Sequence, residues 1–195
     1  MNIKTIIVLG IIALLVIFGI SSYNGLVEKQ ENVNQSWAQV ENQYQRRSEL
    51  IPNLVNTVKG AADFEQETLT QVTEARSRAT SIQVTAEDLN DPQKLAQFQQ
   101  AQSQLSGALS RLLATVERYP ELKANQNFLD LQSQLEGTEN RIATERMRFN
   151  QAVQTYNTSI RTFPRNLFAG IFGFDDKAYF EADEGAQEAP EVNFD

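Results

Sequence analysis

Residues 128–163 read FLDLQSQLEGTENRIATERMRFNQAVQTYNTSIRTF. An apolar side chain stands at every seventh position of this stretch, at Phe128, Leu135, Ile142, Phe149, Tyr156 and Phe163. A spacing of seven keeps such side chains on one face of an α-helix, which is typical of a coiled coil or a long bundle helix. The stretch therefore predicts one long helix, from about Asn125 to Phe163, with an apolar seam turned towards neighbouring helices.

The N-terminal part of the chain carries a second seam of the same kind. One series of positions seven apart is Tyr23, Gln30, Trp37, Tyr44, Ile51 and Val58, and its companion is Leu26, Val33, Val40, Arg47, Leu54 and Ala61. Pro52 removes one backbone donor from this second long helix. Because both series stay in phase beyond Pro52, we expect a bend near residues 49–52 and not the end of the helix.

Two shorter helices are predicted between the long ones. The first covers roughly residues 64–81, and residues 82–90 form a loop. The second begins at Asp91-Pro92, where aspartate is a favourable cap and proline suits the first turn, and ends at Tyr119-Pro120. The predicted fold is therefore all-α: an elongated antiparallel bundle of about four helices over residues 25–163.

The N-terminus carries an apolar run from Ile6 to Ile20, and no charge occurs between Lys4 and Glu28. A helix needs about 20 residues to cross a bilayer core of ~30 Å, and this charge-free window is long enough. We predict a transmembrane helix over residues 5–24, after a short cytoplasmic N-terminus, residues 1–4. A cleaved signal peptide ending at Gly19-Ile20-Ser21 is the alternative, and a soluble helix buried on all sides is a third.

Flanking charge predicts the orientation of this single-pass helix. The N-terminal amine and Lys4 precede it, whereas only Lys29 follows closely, among acidic residues. The positive-inside rule then places the N-terminus in the cytoplasm and the bundle outside. In a bacterium this means the inner (cytoplasmic) membrane, with the bundle in the periplasm or on the outer face.

The composition excludes several function classes. The chain contains no cysteine and no histidine, which removes thiolate catalysis, a Ser-His-Asp relay and zinc sites built from those residues. Residues 175–195 hold eight acids and one lysine, and so carry most of the net charge of -8. The remainder is nearly balanced and has no basic footprint for nucleic acid. We predict no cofactor, no enzyme activity, and a disordered acidic tail over residues 181–195.

Charged residues on the seams are the first candidate site. Arg46 and Arg47 lie beside Pro52, and Arg47 falls on the seam, so it predicts either an ion pair with Glu139 or Glu145 or a site for an anion or lipid headgroup. Glu139 and Glu145 are six residues apart and could in principle serve acid–base chemistry or a metal. Metal sites in bundles of the ferritin type need histidine, so structural ion pairs are favoured.

An aromatic-rich segment, residues 164–180, is the second candidate. It contains Phe168, Phe172 and Phe174 without an evident helical period. It either folds back over the bundle or docks against a neighbouring subunit or the membrane interface. The seam aromatic Trp37 could likewise be satisfied within one chain or between chains.

Several ordered blocks resemble the LemA family. They are YNGLV at 23–27, WAQV at 37–40, QRRSELIPNLVNTVKG at 45–60, ERYPELKA at 117–124, LEGTENRI at 135–142 and FGF at 172–174. The acidic extension after Phe180 departs from the family pattern. The resemblance implies a bacterial membrane protein with a short N-terminal span and a helical bundle, similar also to a magnetosome-membrane group, and it implies no enzyme activity.

Seams and resemblance together predict a membrane-anchored, non-enzymatic protein of the cell envelope that self-associates or scaffolds. Its expected partners are the lipid bilayer, further copies of itself as a homo-oligomer, and other envelope proteins. The alternative is a ligand or lipid-headgroup sensor that uses Arg46 and Arg47.

Overall fold

The computed structural model describes residues 2–60 and 64–181, and within them every regular element is helical. The helices are α1 (Ile3–Lys59), α2 (Gln66–Ser81), α3 (Pro92–Val116), α4 (Pro120–Lys123), α5 (Gln126–Arg161) and α6 (Arg165–Phe172), with a 3₁₀ turn at Asp88–Asn90. The all-α prediction is confirmed, and α1, α2, α3 and α5 are the four predicted helices. The short helices α4 and α6 are additional.

Helix α1 is continuous over 57 residues, which is about 85 Å at 1.5 Å per residue. It passes without a break from the apolar N-terminal segment into the bundle, and it continues through Pro52 to Lys59. Its first part is long and apolar enough to cross a membrane, and the side chains there are largely exposed.

The bundle consists of two antiparallel helix pairs. Helix α1 packs along α5: Trp37 contacts Phe149, and ten residues further along α1, Arg47 pairs with Glu139, ten residues back along α5. Helix α2 packs along α3 in the same antiparallel manner. The ion pair between Glu65 and Arg118 joins the far ends of that second pair at 2.9 Å.

The apolar core is divided into two clusters. The proximal cluster, nearer the apolar segment of α1, is built around Trp37, Tyr44, Phe98, Phe149, Tyr156 and Phe180. The distal cluster is built around Ile51, Leu54, Leu105, Leu112, Phe128 and Leu135. Polar residues at the level of Arg47 lie between them along α1.

The helix ends follow the predicted signals with small shifts. The Asp91 side chain caps α3 by accepting hydrogen bonds from the backbone N–H groups of Gln93 and Lys94, and Asn125 caps α5 by accepting one from Phe128. Helix α3 ends at Val116, slightly before the predicted Tyr119, because a turn precedes Pro120 and Tyr119 has left the helical region of backbone conformation.

The prediction that residues 164–180 lack helical period is wrong for α6. Leu167 and Ile171 are four apart, as are Phe168 and Phe172, but eight residues so rich in apolar side chains hide that spacing. Gly173 ends α6 with a φ of 74°, a left-handed conformation that glycine adopts easily. An extended segment, residues 174–181, follows and is called the strap. The predicted acidic tail lies, apart from Glu181, outside the described residues.

Candidate functional site

Arg47 is the centre of a polar layer that joins three helices. Its side chain is 1% exposed, and its Nη1 donates hydrogen bonds to Glu139 Oε1 and Ser106 Oγ, each at 2.7 Å. Its Nη2 donates to the side-chain oxygen of Gln102, and the guanidinium lies 5.1 Å from the centre of the Tyr44 ring. Helices α1, α3 and α5 are therefore tied together by one side chain.

The contacts of this layer fit one register of the helices. A buried guanidinium is tolerable only where a countercharge and hydrogen bonds replace its water. A slip of α5 by one turn would remove Glu139 from Arg47 and push the acid towards an apolar cluster. A single buried polar position between apolar layers can thus specify alignment.

The other charged candidates are not part of this layer. Glu145 pairs with Arg148 at 2.7 Å, so the predicted alternative pairing of Glu145 with Arg47 is wrong. Arg46 is exposed, because consecutive residues of a helix point about 100° apart. The two arginines therefore do not point into one pocket: Arg47 is buried in the bundle, and Arg46 faces outward. Pro52 lies within α1 and is half-buried.

A polar cleft opens next to the Arg47 layer, between α3 and α5. Its volume is about 760 Å³, and Tyr44 and Arg47 of α1 form its floor. Its polar wall residues are Gln97, Gln99, Gln100, Gln102, Ser103, Ser106, Glu139, Arg146 and Glu181. Sequence reasoning missed Gln102 and Ser106; the available signal was that Gln102 interrupts the apolar face of α3 between Phe98 and Leu105.

The strap is held by side-chain amides of α5. Asn157 donates to the backbone oxygen of Lys177 at 2.8 Å and accepts from its N–H at 2.9 Å. Asn150 does the same for Phe180, at 3.0 and 2.9 Å. Each amide thus replaces the two partners that a neighbouring β-strand would offer.

Helix α3 and the 3₁₀ turn hold the strap from the other side. Gln99 donates to the backbone oxygen of Glu181 at 2.9 Å and accepts from its N–H at 3.2 Å. The N–H of Ala178 donates to the backbone oxygen of Leu89 at 2.8 Å. The strap therefore bridges the α1–α5 pair and the α2–α3 pair, and these amide roles were not predicted.

Trp37 lies in an aromatic box within the single chain. It is 4% exposed, its ring centre lies 5.5 Å from those of Phe98 and Phe149, and 5.9 Å from that of Phe180 on the strap. Its Nε1 donates to the backbone oxygen of Val84 at 3.0 Å. This seam position is thus satisfied without a second chain.

The three phenylalanines predicted as interaction residues gather at the end of the apolar segment of α1. Phe168 lies 5.6 Å from Phe18, and Tyr23 lies 5.0 Å from Phe172 and 5.7 Å from Phe174, measured between ring centres. A Cβ atom at Gly19 would come within 3.1 Å of the Phe168 ring. The absence of a side chain at Gly19 therefore lets α6 approach α1 closely.

Burial, nearby charges and hydrogen bonds shift the pKa values of several groups near the strap and the 3₁₀ turn at Asp88–Asn90. Burial, with the charges of Asp175 and Asp176, raises the pKa of Tyr156 to about 12. Burial lowers the pKa of Lys177, whose Nζ donates to the backbone oxygen of Ala86. Hydrogen bonds from Lys94 and Thr85 lower the pKa of Asp88 to about 2. Among residues 2–60 and 64–181, no three acidic side chains converge as a metal site.

Comparison with known proteins assigns the chain to a family. The LemA family profile matches residues 36–194. The match includes the acidic stretch after Phe180, so the prediction that this stretch departs from the family pattern is wrong. The chain is 26% identical over 161 residues to the protein LemA of Metamycoplasma hominis, covering 83% of this chain and 69% of that protein. It is 28% identical over 175 residues to magnetosome proteins MamQ 1 and MamQ 2 of Paramagnetospirillum magneticum, covering 82% of this chain and 64% of each of them. This chain belongs to the LemA family.

Proposed function

We propose that this protein is a non-enzymatic, membrane-anchored rod of the bacterial envelope, which holds a helical bundle at a fixed height above the inner membrane and scaffolds other chains there. The observation that carries the proposal is the continuity of α1 from its apolar segment to the far end of the bundle. A helix without a break transmits position and orientation, whereas a flexible linker would not.

The packing of α6 supports a retained anchor over a cleaved signal peptide. Cleavage after Ser21 would remove Phe18 and Gly19, on which Phe168 packs. The chain would lose part of its own fold. Intact-mass measurement of the protein from native membranes tests this step: a mass near 22.0 kDa is expected, and a mature N-terminus at Ser22 would contradict it.

Self-association is the form of scaffolding that we favour, and it would use outer surfaces of the rod. The seam aromatics Trp37, Tyr44 and Phe149 are buried within one chain, so a complex need not disturb the core. Native mass spectrometry of the full chain released from native lipid nanodiscs measures the mass of the protein assembly without its lipid. Multiples of 22.0 kDa are expected, and a uniform monomer across concentrations would rule self-association out and leave only other envelope proteins as scaffold partners.

Orientation is proposed with the N-terminus in the cytoplasm. The chain has no native cysteine, so Gln104→Cys on the exposed side of α3 gives a unique label site. A membrane-impermeant maleimide should label this variant in intact spheroplasts. Labelling only after lysis would show the opposite orientation, with the bundle in the cytoplasm.

The polar cleft favours a second candidate function, the binding of a small polar ligand. The buried Nε of Arg47 has no hydrogen-bond partner within the described residues, and Arg47 forms part of the cleft floor. Glycerol 3-phosphate, which combines a hydroxylated stem with a phosphate, is a suitable probe. It should raise the melting temperature of the native chain but not of Ser103→Leu, which would obstruct the cleft; no rise at millimolar probe would exclude this class of ligand.

A further inference from the structure

Large apolar side chains beside the end of the membrane segment are exposed. On α6, Leu167 is 57% exposed and Ile171 is 74% exposed, and Phe163, just before the helix, is 75% exposed. Leu167 and Ile171 are one turn apart and share a face of the helix. Contiguous apolar surface of this kind marks a contact with another apolar phase or partner.

The other side of α6 fixes its height along α1. Phe168 packs on Phe18 and Gly19, which lie in the last turn of the apolar run that ends at Ile20. Tyr23, one turn further on, packs on Phe172. Tyrosine favours the headgroup level, so with α1 as the proposed anchor, α6 would lie where the hydrocarbon core meets the headgroups.

We propose that α6 is an interfacial helix, and that Phe163, Leu167 and Ile171 are buried in the lipid leaflet from which the bundle emerges. The inference rests on the proposed anchoring by α1. Helix α6 has eight residues, about 12 Å. An interfacial helix lies in the plane of the membrane surface, with its apolar face buried about 5–10 Å into the boundary between headgroups and acyl chains.

The position of α6 next to the membrane segment favours lipid, and not a second protein chain, as the partner that covers its exposed apolar face. The apolar surface of α1 continues on the N-terminal side of α6, on the same face of the helix: Leu15, one turn before the Gly19 contact, is 59% exposed. Charged groups lie on the bundle side of α6: Arg161 pairs with Asp176 at 2.6 Å. The change from apolar to charged surface across α6 matches the change from acyl chains to headgroups.

A second membrane contact has a mechanical consequence. A single spanning helix can rotate about its own axis and tilt, whereas flanking anchors restrict both motions. Helix α6 is joined to the bundle through α5 and to α1 through Phe168. The bundle would therefore be held at one rotation and one tilt relative to the bilayer.

The test uses full-length single-cysteine variants in vesicles of phosphatidylcholine and phosphatidylglycerol. Ile171→Cys is labelled with the polarity-sensitive dye NBD, and quenching by lipids that carry a nitroxide near the headgroup is measured. Val16→Cys in the membrane segment is the positive control, and Gln104→Cys on the bundle is the negative control. Unchanged Trp37 emission shows that each variant is folded.

The expected result is a blue-shifted NBD emission at residue 171 and roughly two-fold stronger quenching by the shallow nitroxide than by one near the chain end, as for an interfacial depth. Quenching at residue 16 without quenching at residue 171 would overturn the α6 proposal and leave the anchor intact. A blue shift at residue 171 that no nitroxide lipid quenches would show a protein partner and also overturn it. No quenching at residue 16 would remove the anchor and both proposals with it.

Discussion

Asn150 and Asn157 lie one heptad apart on α5, and the strap residues that they hold, Phe180 and Lys177, lie three apart. Seven residues of α-helix rise about 10.5 Å, and three residues of extended chain rise about 10 Å. The two spacings agree, so a helix can hold an antiparallel extended segment with one amide per heptad. The strap is thus positioned by helix geometry.

Replacement of Asn157 by leucine should destabilise the protein by about 3 kcal/mol, since it leaves the buried N–H and carbonyl of Lys177 without partners. Denaturant unfolding in mild detergent measures the cost. Hydrogen exchange should show faster exchange of the Lys177 amide. Asn140→Leu, at an exposed position of the same helix, is the matched control and should change the unfolding free energy by less than about 0.5 kcal/mol. Equally small effects of the two variants would mean that the hydrogen bonds of Asn157 to the strap contribute no stability.

Removal of the Phe180 ring should open the aromatic box around Trp37. Phe180 is 5% exposed and stacks on Trp37, so Phe180→Ala should cost about 3 kcal/mol and shift the emission of this single tryptophan to the red. Tyr179→Ala, whose side chain is 43% exposed, should leave the emission in place. An unshifted Phe180→Ala spectrum would show that the strap does not shield Trp37.

Because the Arg47–Glu139 ion pair involves a buried guanidinium, Glu139→Gln should lower the unfolding free energy more than Glu117→Gln does. Glu139→Gln keeps the shape of the side chain but leaves a buried guanidinium without its countercharge, which should cost about 2 kcal/mol. Glu117→Gln breaks an ion pair with Lys123 in which both side chains are about 60% exposed, and should cost less than about 1 kcal/mol. Chemical unfolding of both variants checks the difference, and a loss at Glu139 no larger than at Glu117 would refute a buried structural role.

Periodicity predicted the long helices well because each buries a stripe many turns long, so the spacing of seven is sampled repeatedly. The start of α3 at Asp91-Pro92 could be predicted because a helix cap depends only on residues that are adjacent in the sequence. The polar contacts of Gln102, Asn150 and Asn157 could not be predicted in the same way, since each partner is distant in sequence. Helix α6 was missed because two helical turns give too few repeats to show a period. Arg47 stood out as a charge on an apolar seam, but only the packing of α5 selects Glu139 over Glu145.

The raised pKa of Tyr156 predicts that the protein loses stability at alkaline pH. An unfolded tyrosine ionises near its ordinary pKa of 10, whereas the folded chain raises the pKa of Tyr156 to about 12. Between these values the unfolded state has lost a proton that the folded state keeps, so the unfolding free energy falls as pH rises from 10 to 12.

Tyr156→Phe should remove this part of the pH dependence, while Tyr179→Phe should retain it. The lowered pKa of Lys177 acts with the opposite sign, because the unfolded state keeps that proton up to the ordinary pKa of 10.5 and stability rises with pH below it. The difference between the unfolding free energies of the native chain and Tyr156→Phe, measured at each pH, gives the contribution of Tyr156 alone. Parallel pH profiles for these two chains would contradict the assignment.

The continuity of α1 between the membrane and the bundle is tested most directly by a distance. Spin labels at Ile3→Cys and Glu28→Cys, measured by double electron–electron resonance in lipid nanodiscs, bracket the junction; Glu31→Cys with Asn53→Cys serves as a control within the bundle part of α1. An unbroken helix predicts narrow distributions centred near about 38 Å for the first pair and about 33 Å for the control. A broad or markedly shorter distribution for the first pair alone, or a mature chain that lacks residue 3, would contradict a rigid, retained anchor.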